Sequence, residues 1–294
     1  MYNHNIIKQN IFFVFRIFII LVFLSSVSFA KDTITWLFTD YPPFAIVEGT
    51  NKKKGILDLI TNHVSERLVE YNHLELTANV KRITYFLEKE QEIMCTCGMN
   101  KSPERDNKCY YSIPAIIAYG VAIVTRKDLL DSIKKTEIVS LENLLKNKNL
   151  KLGIPSERSF GKKIDIIIKK YKNSDNIFTQ HIGNINKSLL GMLLHKRIDY
   201  MLARPYEAIY LAKNIYQEDN IAIVPFKESD EYIISYFACS KYKKSQRVLK
   251  KINKILEKER PTNAYRNYME KWLDKENIQK FRKLYDEVFL KLDN

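Results

Sequence analysis

The sequence lacks the short motifs that mark several large enzyme classes. It contains no Gly-x-Ser-x-Gly, no His-Glu-x-x-His, and no Walker or dinucleotide-binding glycine pattern. These motifs hold a nucleophile, a zinc ion, a phosphate or a dinucleotide, so their absence argues against those chemistries, and no cofactor is expected. Internal repeats and low-complexity linkers are also missing, and nothing after residue 30 is apolar enough to span a membrane.

Residues 1–30 have the pattern of a secretory signal. Lys8 and Arg16 supply positive charge, Ile17 to Leu24 is wholly apolar, and Ser28-Phe29-Ala30 is a small-x-small cleavage site. A membrane anchor is the alternative, but Arg16 cuts the apolar run to well under the roughly 20 residues that a spanning helix needs. We therefore predict cleavage after Ala30 and a periplasmic mature protein.

The chain is basic, with 48 Lys and Arg against 34 Asp and Glu and a net charge of +14. Removing Lys8 and Arg16 with the signal lowers this charge by two, from +14 to +12. We interpret the excess as a solvated, Lys-rich surface, with an attraction to anions as the alternative. The mature chain is also long for a single hydrophobic core, which favours two lobes.

Four cysteines lie in the mature chain: Cys95, Cys97, Cys109 and Cys239. An even number in an exported protein favours disulfides, and four residues allow three pairings. Cys95 and Cys97 point the same way on a strand and do not easily bond each other. We predict the pair Cys97–Cys109, which would close a short loop over the turn at Ser102 to Arg105, and the pair Cys95–Cys239, which would then tie an early strand to a late one. A soft-metal site at Cys95 and Cys97 is the alternative, but the histidines show no ligand spacing.

Strands and helices alternate along the chain. Strands are predicted over Thr33 to Phe38, Leu74 to Val80, Ile93 to Cys97, Ala115 to Arg126 and Tyr232 to Cys239. This order predicts an α/β fold of two lobes, each a mostly parallel sheet covered by helices, with a two-strand hinge. The cleft between the lobes is the expected ligand site. The predicted limits are 31–122 and 229–294 for lobe 1 and 123–228 for lobe 2.

A series of motifs in a fixed order is spread over nearly the whole mature chain. They are Tyr41-Pro42-Pro43-Phe44, Gly55 to Leu59, Gly98 to Arg105, Tyr111 to Pro114, Leu152 to Ile154, Ser159 to Gly161 and Arg197 to Tyr200. With these motifs the chain resembles the bacterial extracellular solute-binding proteins of the polar-amino-acid class (family 3), which have the type II periplasmic-binding fold. The resemblance implies a monomer that closes two lobes on a small solute and passes it to an ABC permease or a membrane sensor.

The resemblance also implies a set of ligand contacts. Six residues match family positions that contact the ligand: Tyr41, Gly98, Asn100, Arg105, Arg158 and Ser159. Arg105 matches the arginine that pairs with the ligand's α-carboxylate. Arg158 and Ser159 match a helix N-terminus that donates backbone amides to the same carboxylate, and helix N-termini attract anions.

One position departs from the family pattern. Where amino-acid binders have an aspartate for the ligand's ammonium, this chain has Arg204. A desolvated ammonium facing Arg204 would be repelled by several kcal/mol, so we predict a small anionic, carboxylate-bearing solute, with Arg82 as a further candidate contact. The alternatives are an enzyme on the same fold, similar to cyclohexadienyl dehydratases, or a stand-alone sensory or envelope interaction module. A nucleic-acid partner is not expected.

Overall fold

A computed structural model describes residues 31–135, 138–156, 158–181 and 185–292 of the chain. The predicted signal segment lies outside the described residues. The described strands form two five-stranded sheets. They are β1 (Thr33–Phe38), β2 (Asn72–Thr77), β3 (Ile93–Met99), β4 (Cys109–Tyr119), β5 (Ala122–Arg126), β6 (Leu152–Pro155), β7 (Ile177–Gln180), β8 (Tyr200–Ala203), β9 (Ile221–Val224) and β10 (Tyr232–Ser240).

Helices cover both sheets, and several begin at a residue whose side chain accepts a backbone N–H bond, as Asn79 and Ser140 do. Within the described ranges, none of the helices is long and apolar enough to cross a lipid bilayer. The helices are α1 (Ile56–Ser65), α2 (Val80–Leu87), α3 (Pro103–Asp106), α4 (Leu130–Ile133), α5 (Leu141–Lys146), α6 (Lys162–Lys170), α7 (Ile185–Leu194), α8 (Pro205–Leu211), α9 (Lys243–Glu259), α10 (Asn263–Glu270) and α11 (Lys275–Glu287).

The first sheet has the strand order β2-β1-β3-β10-β4. β1 pairs in parallel with β2 and β3, as strand–helix–strand units require. β10 runs antiparallel between β3 and β4, so a strand from late in the chain lies inside the sheet. We call this sheet and the helices packed on it lobe 1.

The second sheet, which with its helices we call lobe 2, has the order β7-β6-β8-β5-β9. β6 is parallel to β7 and β8, whereas β5 is antiparallel to β8 and β9. The predicted two-lobed α/β fold is confirmed. Both sheets are mixed rather than mostly parallel, because β10 and β5 run against both of their neighbours.

Two chain segments cross between the sheets side by side. The single strand predicted over Ala115 to Arg126 is divided at Gly120, and its two halves join different sheets. Gly120 N donates to Glu231 O in the returning segment (2.9 Å). A Cβ at residue 120 would lie 1.8 Å from the carbonyl oxygen of Asp230, so this close approach requires glycine. The residue limits predicted for the lobes stay predictions.

The first sheet is buried on both faces. On one face, Trp36 of β1 and Phe237 of β10 pack in a cluster with α1 and the C-terminal helices α9 to α11. On the opposite face, Leu37 packs against Ile83 and Leu87 of α2. Adjacent residues of β1 therefore serve different cores, as the alternation of side chains along a strand dictates.

The cysteines are only partly paired as predicted. Cys95 and Cys239 form a disulfide between directly opposed residues of β3 and β10, which confirms that pair. Cys97 and Cys109 are buried free thiols, so the predicted Cys97–Cys109 disulfide is wrong. β10 separates their strands by two strand spacings, roughly 10 Å, and the two side chains pack in the clusters on opposite faces of the sheet. Burial raises the pKa of both thiols.

Candidate functional site

The loop after β1 carries an aromatic side chain to the boundary between the lobes. Tyr41 N donates to Ala45 O at 2.9 Å, so the chain turns back on itself within five residues. The Tyr41 ring stacks on Phe44, with centroids 5.3 Å apart and an interplanar angle of 13°. Because the backbone bond and the stacked ring both restrain Tyr41, its hydroxyl has a defined direction towards lobe 2.

Asp58, in the first turn of α1, holds this loop against lobe 1. Its Oδ2 accepts hydrogen bonds from Ile46 N and Gly55 N, each 2.9 Å long. The side chain is buried, and burial raises the pKa of the Asp58 carboxyl against the opposing effect of the two backbone donors. The motif from Gly55 to Leu59 therefore supports the loop that presents Tyr41.

The start of α8 supplies two charged side chains from lobe 2. The helix begins after Arg204 with Pro205 at its first position, where a backbone N–H has no helical partner in any case. Glu207 follows in the first turn, where the partial positive charge of a helix N-terminus stabilises an anion. Every residue of α8 is buried, so Glu207 is a carboxylate enclosed by protein.

Both carboxylate oxygens of Glu207 are occupied by donors. Arg158 donates from Nη1 to Oε2 (2.9 Å) and from Nη2 to Oε1 (2.8 Å), which is a bidentate ion pair. The Tyr41 hydroxyl also donates to Oε1, and Asn186 Nδ2 donates to Oε2 at 3.2 Å. Burial by itself would raise the pKa of Glu207. The charge and hydrogen bonds of Arg158, the charge of Arg204 and the Tyr41 hydroxyl together outweigh burial and lower the pKa, so the carboxylate is ionised at neutral pH.

The Tyr41 hydroxyl joins these charges to lobe 1. It accepts hydrogen bonds from Arg158 Nη2 (2.9 Å) and Arg204 Nη1 (3.1 Å) while it donates to Glu207. Burial, followed by the charge of Glu207, raises the pKa of Tyr41 to about 12, so the hydroxyl stays protonated. We call Tyr41, Arg158, Arg204 and Glu207 the Tyr41 group.

Arg204 is the less satisfied of the two arginines in the Tyr41 group. Its guanidinium lies 5.6 Å from the centroid of the Phe44 ring, and its Nη1 contacts the neutral Tyr41 hydroxyl. Its Nε is buried and has no hydrogen-bond partner among the described residues. Among the described residues, no carboxylate forms an ion pair with Arg204, whereas Arg158 forms an ion pair with Glu207.

Asn100 and Arg105 form a second, separate arrangement at the end of β3. Arg105 Nη1 donates to Asn100 O (3.3 Å), and Ser235 Oγ of β10 donates to Asn100 Oδ1 (2.7 Å). Gly98 precedes them with a φ of +88°, and a Cβ there would lie 2.8 Å from the Leu57 side chain. No contact among the described residues joins Arg105 to the Tyr41 group.

Two other predicted contacts lie outside both arrangements. Arg82 is exposed on α2, where its guanidinium packs against the Phe86 ring at 5.2 Å. Ser159 is exposed, and its hydroxyl donates to the Asp165 carboxylate in the first turn of α6. In the described ranges no cluster of His, Cys, Asp or Glu has the arrangement of a metal site.

The sequence pattern gave Glu207 no role, although it is the most enclosed member of the Tyr41 group. A signal was present, because Glu207 is the only acidic residue in the run from Pro205 to Leu211. An acid in the first turn of an otherwise buried helix needs a cation beside it. The cation that pairs with Glu207 is Arg158, and this pairing depends on how the loop that carries Arg158 packs against α8. The sequence does not reveal that packing.

A cavity of about 1400 Å³ has none of the four residues of the Tyr41 group in its lining. Its lining comes from the crossing segments, β9 and the start of α11, and includes Tyr119, Gly120, Ile221 and Asn277. None of the predicted ligand contacts lines this cavity.

Known proteins match this chain at the level of family and fold. No curated protein matches the sequence. The family model for bacterial extracellular solute-binding proteins, family 3, matches residues 36–275. The chain belongs to this family. The Tyr41 group and the Asn100–Arg105 arrangement therefore belong to a family 3 solute-binding protein, and they contain its candidate contacts.

Solved structures share the fold of this family member at low identity. The ancestral cationic amino acid solute-binding protein AncCDT-1 has a TM-score of 0.62 and 21% identity, over 83% of this chain and 96% of that chain. A second structure of AncCDT-1, described as a precursor of cyclohexadienyl dehydratase, has a TM-score of 0.56 with the same identity and coverage. The probable amino-acid ABC transporter extracellular-binding protein ytmK from Bacillus subtilis has a TM-score of 0.62 and 15% identity, over 84% of this chain and 99% of that chain. A histidine kinase sensor domain has a TM-score of 0.57 and 16% identity, over 83% and 96%.

Proposed function

We propose that this solute-binding protein closes its two lobes on a small anionic, carboxylate-bearing solute for a transporter or a sensor. The solute would lie in the cleft beside the Tyr41 group, which already joins a loop of lobe 1 to side chains of lobe 2. A ligand that contacts both lobes stabilises the closed state by its differential affinity for that state. The family supplies the general role of solute binding, and the charges in the cleft support the anionic class.

The single observation that carries the anionic class is the state of Arg204. Its charge has no carboxylate partner in the described part of the chain, and its buried Nε has no hydrogen-bond partner. Arg204 is half-buried, and removing even part of a cation from water is costly unless an anion is near. A carboxylate satisfies a guanidinium with two parallel hydrogen bonds, whereas an ammonium at the same place would be repelled.

An enzyme on the same fold is the alternative, and the relation of AncCDT-1 to cyclohexadienyl dehydratase is the reason to consider it. A dehydratase needs an acid that protonates its leaving hydroxyl. Glu207 has a lowered pKa and both of its oxygens accept hydrogen bonds, so it is a poor proton donor. These features favour solute binding over catalysis by Glu207.

The test is a thermal-shift and calorimetric screen of residues 31–294 with monocarboxylates, dicarboxylates, phosphorylated metabolites and plain amino acids. A ligand at a hundred times its dissociation constant adds roughly 2.7 kcal/mol to the free energy of unfolding, which a melting curve detects. Arg204→Gln is expected to weaken binding of the active compounds by at least about tenfold. Arg247→Gln, at an exposed position of α9, is the matched control.

Arg105→Ala adds a second arm, because the resemblance assigns Arg105 to the ligand although no contact joins it to the Tyr41 group. Loss of affinity in both Arg204→Gln and Arg105→Ala would place the solute between the two arrangements. Binding of plain amino acids alone, with equal affinity in Arg204→Gln, would overturn the anionic class.

A further inference from the structure

The hydrogen bonds of Glu207 leave it no free acceptor for a ligand. Two donors reach Oε1, from Tyr41 and Arg158, and two reach Oε2, from Arg158 and Asn186. A carboxylate offers about four lone-pair positions. Glu207 is also only 1% exposed, so a ligand ammonium would have to displace a buried partner in order to contact it.

The charges of the Tyr41 group can be counted because its members touch one another. Arg158 and Arg204 each carry one positive charge, Glu207 carries one negative charge, and the Tyr41 hydroxyl is neutral. The group is therefore left with a single excess positive charge. The bidentate contact pairs Glu207 directly with Arg158, whereas Arg204 acts on Glu207 through space only, so the excess charge lies on the Arg204 side of the group.

From this count we infer that Glu207 is a specificity-determining residue, which limits the cleft to solutes that place one negative charge, and no ammonium, beside Arg204. This inference rests on the proposed function and narrows it from anionic solutes to those with a single anionic group at this point. Glu207 does so without touching the solute, by neutralising Arg158 from within the protein.

The physical basis is repulsion in a partly desolvated site. A second carboxylate of the solute, placed beside Arg158, would lie near the ionised Glu207 and would find the guanidinium already bound on both of its Nη atoms. Charges at such separations interact far more strongly in a protein cleft than in water. The first negative charge is attracted to Arg204, while a second has no free cation in the Tyr41 group.

Four forms of residues 31–294 test whether the charge of the Tyr41 group determines the preference between anions: the unaltered protein, Glu207→Gln, Arg158→Gln, and the double variant. Their Tyr41 groups carry excess charges of plus one, plus two, zero and plus one. Affinities for butyrate and succinate, which share a four-carbon chain, are measured by calorimetry at matched ionic strength. Glu228→Gln is the matched control, because this half-buried carboxylate contacts Ser140 and Leu141 rather than the Tyr41 group.

The unaltered protein is expected to favour butyrate, and Glu207→Gln is expected to shift the succinate-to-butyrate preference by at least about tenfold towards succinate. The double variant should return to the preference of the unaltered protein, and Arg158→Gln should bind both anions more weakly. If Glu207→Gln does not fold, the butyrate preference of the unaltered protein and the weaker binding of both anions by Arg158→Gln still test the inference.

The outcomes separate this inference from the proposed function. Anion binding that depends on Arg204 but favours succinate in the unaltered protein, or keeps one preference in all four forms, would overturn the role of Glu207 alone. Failure of the unaltered protein to bind butyrate, succinate or any other anion of the screen would overturn the proposed function, and the role of Glu207 with it.

Discussion

Asp58 and Glu207 are both buried carboxylates that restrain the loop carrying Tyr41, but different partners stabilise their charges. Asp58 is 8% exposed and contacts two backbone N–H groups, and its pKa is raised by burial. Glu207 is 1% exposed and contacts a guanidinium, and its pKa is lowered because Arg158, Arg204 and the Tyr41 hydroxyl together outweigh burial. The difference teaches that hydrogen-bond geometry matters at residue 58, whereas charge matters at residue 207.

The largest expected effect comes from removing the charge that Glu207 faces. Arg158→Met leaves a buried carboxylate without its ion-pair partner, which typically costs about 3–5 kcal/mol. Urea unfolding of residues 31–294 measures the change, with Lys280→Met as a control at an exposed ion pair with Glu276. A loss in Arg158→Met no greater than in the control would mean that the Arg158–Glu207 pair does not stabilise the fold.

A smaller effect is expected at Asp58, where two substitutions separate geometry from charge. Asp58→Ala leaves two buried N–H groups unpaired and should cost about 1–3 kcal/mol. Asp58→Asn keeps an acceptor oxygen without a buried charge, so it should cost clearly less than Asp58→Ala. The free energies of unfolding of both variants test this, and equal losses would show that the charge of Asp58, rather than its geometry, supports the loop.

Tyr41→Phe should have an effect below both of these. The variant keeps the ring stacked on Phe44 but loses the hydroxyl that contacts Arg158, Arg204 and Glu207. Glu207 retains its bidentate partner, so we expect a loss of about 0.5–1.5 kcal/mol. Tyr85→Phe on the exposed face of α2 is the control, and a loss as large as that of Arg158→Met would contradict the dominance of the ion pair.

The pH dependence of the free energy of unfolding compares the same two carboxylates, Asp58 and Glu207, and it is the smallest of the expected effects. The pKa of Glu207 is lowered from 4.5, so its contribution is complete above pH 4.5 and is lost as the pH falls through the folded-state value. The pKa of Asp58 is raised from 3.8, so its ionisation reduces stability as the pH rises from 3.8 through the folded-state value.

Unfolding of the unaltered protein, Asp58→Asn and the Arg158→Gln/Glu207→Gln double variant between about pH 3 and pH 7 isolates the two slopes. The stability of the unaltered protein relative to the double variant should increase with pH. Its stability relative to Asp58→Asn should decrease with pH. Two slopes of the same sign would be inconsistent with the opposite pKa shifts.

The fold and one disulfide were predictable because they depend on local patterns and on the order of motifs. Alternating strands and helices indicate an α/β protein, and the opposed positions of Cys95 and Cys239 follow once their strands are neighbours. The Cys97–Cys109 prediction failed because β10 lies between β3 and β4, so that cysteines close in the sequence lie on strands that are not neighbours. Sequence spacing does not reveal such an insertion.

The candidate site was predictable in its residue types more than in its contacts. Tyr41, Arg158 and Arg204 were expected at the ligand and do meet across the lobes. The ion pair of Arg158 with Glu207 joins residues 49 positions apart, and it depends on the packing of α8 against the loop that carries Arg158. Such a pairing arises only in the folded chain. The sequence therefore predicts that Arg158 is available to a ligand, whereas in the structure Arg158 is already bound to Glu207.

The Cys95–Cys239 disulfide joins residues separated by 144 positions, and all five strands of lobe 2 lie between them. The whole of lobe 2 is therefore part of a closed covalent ring whose junction is buried in lobe 1. A protease that cuts one loop of lobe 2 would open this ring without separating the fragments. The nicked chain would migrate as one species until a reductant is added, so a single cut in lobe 2 need not release it from lobe 1.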